Sequence, residues 1–281
     1  MQLQGSRIAG RSDLAENSQE AIAVNNREVF ERLDVVDEYA GEHTLFPAEQ
    51  IILDRYRQDY LQKRVLDLGV GGGRTAPALA AVAAEYVGVD FSESMVAACK
   101  RRFPQWNFRW ADARDLSMFK QDSFNFVLFS YNGLDYVGDE DRRRVLGQVL
   151  RVLRTGGVFA FSSHNLEASA EATSWWRNVL RPRSPAELVR ALRGSVRSLQ
   201  NRRHNAKRLI RTETYAILND QAHHFGLRTY YTTADAQCAQ LRQAGFTGPV
   251  EIFGDDGLPL AASLDRRFLH YVVRKESPAA K

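Results

Sequence analysis

The glycines at 69, 71, 72 and 73 limit this chain more than any other feature. They sit between the apolar run Val65-Leu66-Asp67-Leu68 and the Ala/Leu-rich run Thr75–Ala84. That order reads as strand, tight turn, helix. Glycine is needed where the backbone takes positive φ or must let another group approach closely. A helix starting at such a turn offers free N–H groups and the positive end of its dipole. This is the nucleotide-binding turn of an open α/β sheet, with the ligand at the carboxyl end of the strand. The dinucleotide pattern G-x-G-x-x-G/A fails, because its third position is the bulky Arg74. The P-loop pattern fails as well, since no Gly-Lys-Ser/Thr follows.

The neighbours narrow the reading. A second strand, Tyr86-Val87-Gly88-Val89, ends in Asp90, an acid placed to accept hydrogen bonds from ribose hydroxyls. After a third short strand at 107–110 comes Ala111-Asp112-Ala113, where an acid can receive the exocyclic amine of an adenine. Strands are expected at 64–68, 86–90, 107–110, 124–129 and 157–163, with helices at 74–84, 93–102 and 139–153. Such alternation argues a parallel sheet covered on both faces.

In these blocks the chain resembles the class I S-adenosylmethionine-dependent methyltransferases of small-molecule type. The matching stretches are VLDLGVGGG at 65–73, VGVDFSESMV at 87–96, ADARDL at 111–116, SFNFVLFSYNGLDYV at 123–137 and VLRVLRTGGVFAFSSHN at 149–165. The resemblance implies S-adenosyl-L-methionine as cofactor. It also implies a seven-stranded, mostly parallel Rossmann-like sheet, ending in an antiparallel pair at 249–253 and 268–274. Carried over residue by residue, Gly69, Gly71 and Gly73 form the cofactor loop and Asp90 takes the ribose diol. Asp112 takes the adenine amine, with Ala113 leaving room. Asp67 holds the loop amides or the cofactor ammonium. Phe91 and Met95 pack on the adenine or belong to the core. Arg74 meets the cofactor carboxylate or points to solvent. Tyr39, on an N-terminal helix, touches the methionine part or only packs. Ser130 follows strand four at the cofactor edge.

The reaction so implied is an in-line displacement at a sulfonium methyl, transferring it to an O or N atom of a small acceptor. Holding the reactants in line can supply several kcal/mol, about 7–11 at best. A hydroxyl nucleophile also needs a base. His164 after strand five is the expected base, with a loop hydrogen-bonding role as its alternative. Asp135 is expected to orient the substrate, and Tyr131 and Tyr136 to bound the acceptor pocket. No Asn/Asp-Pro-Pro-aromatic signature follows strand four, which disfavours methylation of base nitrogens.

Four segments follow: an N-terminal helical lid at 1–60, the cofactor core at 61–165, an inserted cap at 166–230, and a closing helix and strand pair at 231–281. The cap holds Trp175, Trp176 and a basic tract, Arg177 to Arg211, in which Glu187 is the single acid. Leu188, Leu192, Val196 and Leu199 space an amphipathic helix there. A hairpin, strands at 212–218 and 227–232, surrounds His223 and His224. The tract is a solvated face, a lure for an anionic acceptor, or a surface for nucleic acid or an anionic membrane; a small acceptor is favoured, with RNA as the alternative. Net charge is only +4 over 281 residues. The two cysteines, Cys99 and Cys238, read as buried small residues, and no metal cluster is expected. No apolar run is long enough to span a membrane, and the chain reads as cytoplasmic. Three rivals remain: an RNA methyltransferase, an enzyme that releases methylthioadenosine on the same fold, and a non-catalytic cofactor sensor.

Overall fold

The computed structural model describes residues 22–168, 185–206, 209–260 and 266–277. Trp175, Trp176, Arg177, Arg181 and Arg183 lie outside them. The N-terminal part holds α1 (22–30), α2 (Leu33–Gly41), α3 (Pro47–Arg55) and α4 (Arg57–Tyr60). Helix α1 ends at Phe30, and α2 starts anew at Leu33 after a turn at 31–32. Pro47 opens α3 at its first turn, where a missing N–H costs nothing.

The core alternates as its apolar pattern requires: β1 (Arg64–Leu68), α5 (Ala76–Ala80), β2 (Glu85–Asp90), α6 (Glu93–Arg102), β3 (Asn107–Trp110), β4 (Phe124–Phe129), α7 (Asp139–Val152) and β5 (Leu153–Asn165). Helix α5 is much shorter than the 74–84 expected. Its Pro77 falls in the first turn, and the chain leaves the helix at Ala81 to reach β2. The strands run in the order β3-β2-β1-β4-β5, all parallel. Beyond β5 lies β10 (Phe268–Arg274), antiparallel to it and to β9 (Val250–Gly254). Alternate residues of β1 serve opposite faces. Leu66 and Leu68 join the cluster under α7, whereas Val65 joins the one under α3, α5 and α6.

The cap is part of the sheet. It holds α8 (Pro185–Asn205), β6 (Ile210–Arg211), β7 (Tyr215–Asn219), a short turn Ala222–Phe225, and β8 (Arg228–Thr232), before α9 (Ala234–Ala244). His164 pairs with Phe268 on one side and Tyr231 on the other. Strand β8 therefore takes over from β4 along the overhanging end of β5. The hairpin gains a third strand, β6, and is hydrogen-bonded over the carboxyl edge of the sheet. In α8, Val196 and Leu199 are exposed, so they do not form the buried stripe expected of them. The helix is held instead by polar contacts, such as Asn201 donating to the His224 carbonyl at 2.9 Å. Among the described residues, no helix is long and apolar enough to cross a membrane.

Candidate active site

The carboxyl ends of β1, β2 and β4 meet the N-terminal helices around a cavity of about 930 Å³ that opens to solvent. Its floor is the glycine loop. Gly69 has φ 58°, and a Cβ there would stand 2.6 Å from the Phe129 ring. Gly72 is needed for a different reason: a Cβ there would lie 2.3 Å from the Tyr39 carbonyl oxygen. The glycine lets α2 rest directly on the loop. Gly72→Ala is accordingly expected to destabilise the chain by about 1–3 kcal/mol and to expose α2. Limited proteolysis and thermal unfolding check this; unchanged cleavage would show that α2 does not depend on the close approach.

Asp90, at the end of β2, holds the loop from the side. One oxygen accepts from the Gly71 amide and the other from the Ser92 amide, each at 2.9 Å. Burial pushes its carboxyl up to about 6, with the amide donors working against that shift. Each oxygen keeps one lone pair, so the group can still accept two hydrogen bonds. Asp90 lines the cavity together with Phe91, Met95, Ala111, Asp112 and Ala113. Met95 is packed by Phe30, Val35 and Val36, which lets it serve cavity and core at once.

Several expected roles change. Asp67 holds neither loop amides nor a cavity wall. Its one bonded oxygen accepts from Thr75 Oγ1 at 2.6 Å and Tyr86 OH at 2.9 Å, beneath the loop. Burial raises its carboxyl to about 6 as well. Gly73, at φ 84°, turns away from the cavity toward Cys99 and Phe103. Arg74 does not point to solvent: it is buried in a two-pronged ion pair with Glu49 of α3, beneath the rings of Phe46 and Tyr131. Asp112 lines the cavity, but both its oxygens are held by the Arg114 side chain at 2.7–3.0 Å. An adenine amine would have to displace part of that fork.

His164 and Asp135 do meet. Asp135 Oδ2 accepts from the His164 Nδ1 and backbone amide, both at 2.7 Å. Its other oxygen is bonded to Ser163 and paired with Arg142. His164 Nε2 stands 3.5 Å from Asp220 of the cap. All five side chains are buried, and neither His164 nor Asp135 lines the cavity. The flanking residues Leu134 and Tyr136 do. The short 3-10 turn Gly133–Tyr136 turns Asp135 inward and its neighbours outward. The pair is a clamp behind the wall, and the sequence alone showed no sign of Arg142 or Asp220 as its partners.

Part of the cavity wall is aromatic. Tyr39, Tyr131, Tyr136 and Phe30 line it, with Ser130 at the end of β4. Burial raises the Tyr131 hydroxyl and carries those of Tyr39 and Tyr136 well above the ordinary range. They are neutral donors at neutral pH. Phe30 went unnoticed because an apolar residue of an amphipathic helix carries no mark of facing a ligand. Among the described residues no cluster able to hold a metal is present.

A family profile described as "Methyltransferase domain" matches residues 65–157. The chain is 41% identical over 98 residues to a demethylmenaquinone methyltransferase of Clavibacter sepedonicus, covering 34% of this chain and 38% of that one. The match spans about half or less of this and of a second curated relative, a probable S-adenosylmethionine-dependent methyltransferase of Mycolicibacterium smegmatis, 28% identical over 126 residues, 45% of this chain and 48% of that one. Among solved structures, the CcbJ methyltransferase of Streptomyces caelestis has the same fold, with a TM-score of 0.57 at 16% identity, covering 89% of this chain and 98% of that one. The loop, the strand order and the matched segment agree: residues 65–157 match the methyltransferase-domain family, and the chain has the α/β fold of S-adenosylmethionine-dependent methyltransferases.

Proposed function

We propose that the chain transfers a methyl group from S-adenosyl-L-methionine to an O or N atom of a small-molecule acceptor. The observation that carries this is Asp90, fixed by two loop amides with two lone pairs left in the cavity wall. A carboxylate so placed suits a ribose diol, and the slot between Phe91, Met95 and Ala113 suits an adenine. When bound, the cofactor supplies an electrophilic methyl on a sulfonium. Phe30, Tyr39, Tyr131 and Tyr136 offer that cation aromatic faces, which attract positive charge. Tyr131, neutral, serves by donating a hydrogen bond rather than by removing a proton. Asp135 and His164 act by positioning Leu134 and Tyr136.

The relatives' names point to small acceptors: demethylmenaquinone in one, and 1,6-didemethyltoxoflavin in a Burkholderia thailandensis structure, TM-score 0.56 at 14% identity, covering 98% of this chain and 94% of that one. An anionic acceptor is not favoured, since the cation among the described lining residues, Arg74, is already paired with Glu49. The test is to incubate the protein with the cofactor and a metabolite extract and follow products by mass spectrometry. S-adenosylhomocysteine with a metabolite heavier by CH₂ is expected. Methylthioadenosine instead, or no turnover, would overturn the proposal.

A further inference from the structure

Beside the cofactor cavity lies a second one of about 610 Å³, and Tyr131 is a wall of both. It sits between the start of α3 and the edge of the sheet where β5 meets β10. Three features mark it as a place built for a ligand.

The first is Asn132. It follows Tyr131 directly after β4, and both residues have positive φ, 52° and 57°. Two successive non-glycine residues in that region store strain, which persists where surrounding structure imposes it and clusters at functional sites. Asn132 is 3% exposed, and its Oδ1 has no hydrogen-bond partner among the described residues. Its backbone amide is already bonded to Ser162 Oγ at 2.8 Å. A buried carbonyl without a donor costs about 1–3 kcal/mol, so a ligand that supplies one is rewarded.

The second is His270, which pairs with Ser162 in the β5–β10 register. It lines the same cavity, and no hydrogen bond to its ring is found among the described residues. Burial lowers it to about 4, although Glu49 and Asp255 pull it up and Arg74 pulls it down. The ring is therefore neutral at neutral pH and offers a lone pair. A base that weak does not remove a hydroxyl proton outright; it holds the hydroxyl by accepting its hydrogen bond.

The third is the walls. Phe46, Tyr131 and Phe268 give flat apolar faces. The charged groups that line the cavity are Glu49, already paired with Arg74, and Asp255. Neither welcomes an anion.

We propose that this cavity is the acceptor site, and that it takes a flat, uncharged aromatic compound with two hydrogen-bond donors, at least one a hydroxyl, received by Asn132 Oδ1 and the His270 ring. This rests on the methyltransferase reading, because Tyr131 as a shared wall matters only if the first cavity holds the methyl donor. Asn132 and His270 are specificity residues in it.

The test uses the full chain saturated with S-adenosylhomocysteine at neutral pH. The fluorescent probe is 2,3-dihydroxynaphthalene, with 2,3-dimethoxynaphthalene as the donor-free control. Saturable binding of the diol is expected, at least tenfold tighter than the dimethoxy compound. Asn132→Gly, which keeps the positive φ, and His270→Phe, which keeps a flat ring without an acceptor, should each weaken the diol about five- to tenfold, as one lost hydrogen bond implies. S-adenosylhomocysteine affinity, measured in parallel, should not move and reports that the variants are folded. Equal binding of the two probes, no binding of the diol, or variants that bind it as well as the parent would overturn the inference. If S-adenosylhomocysteine itself fails to bind the parent, the cofactor reading falls too; if it binds and the diol does not, only the acceptor site falls.

Discussion

Asp90→Ala is expected to weaken S-adenosylhomocysteine binding at least a hundredfold. The substitution removes two hydrogen bonds to a diol and releases the Gly71 and Ser92 amides together. Hydrogen bonds to charged groups contribute about 1.5–3 kcal/mol each, and about 1.4 kcal/mol is a factor of ten. Two such bonds already exceed a hundredfold. Calorimetric titration checks this, and an unchanged affinity would remove Asp90 from the cofactor site. The pH dependence gives a second measurement. The folded carboxyl lies near 6 against an ordinary 3.8, so between those values the folded chain holds a proton that the unfolded chain has lost. Its contribution to stability is present below about pH 4 and declines as pH rises through 6, a cost of roughly 3 kcal/mol at neutral pH. Diol donors favour the ionised form. Cofactor affinity should then fall on the order of tenfold from pH 7 to pH 5, with proton release on binding below pH 6, and Asp90→Ala should lose that dependence. Asp67 titrates in the same direction but lines no wall, so it affects stability rather than affinity.

Asp135→Ala is the second large effect, and it falls on folding. The substitution leaves the Arg142 guanidinium fully buried without its counter-ion, 4.3 Å from the Tyr230 ring. Breaking a buried pair from one side costs about 3–5 kcal/mol. For a chain of this size each kcal/mol is worth roughly 2–4 °C in Tm, so a fall of about 6–20 °C is expected in a thermal unfolding scan. Asp135→Leu combined with Arg142→Met should recover most of it, because an apolar pair of similar volume avoids the uncompensated charge. Should Asp135→Ala leave Tm within a degree or two and abolish turnover, Asp135 would return to the chemistry and the clamp would be wrong.

The single residues that mark the cofactor cavity were legible in the chain because covalent order alone places them. Strand, glycine turn and helix are contiguous, and Asp90 ends the next strand. Alternating apolar runs then select a parallel sheet whose carboxyl edge carries both. Gly72 was legible as part of the cluster, but not its reason, which is the Tyr39 backbone that α2 brings against it.

The α/β core, the loop and the kind of ligand they suit could be read from the chain, since these depend on local periodicity and on neighbours a few residues apart. The pairings between distant elements came only with the folded chain: Arg74 with Glu49, Arg142 with Asp135, His164 with Asp220, and Asn132 and His270 around one cavity. A histidine after strand five looks the same in sequence whether it faces a cavity or a clamp. Which way it faces is set when the cap strand β8 pairs with the end of β5 and seals that side, while His270, on β10 along the opposite edge of β5, is left beside open space.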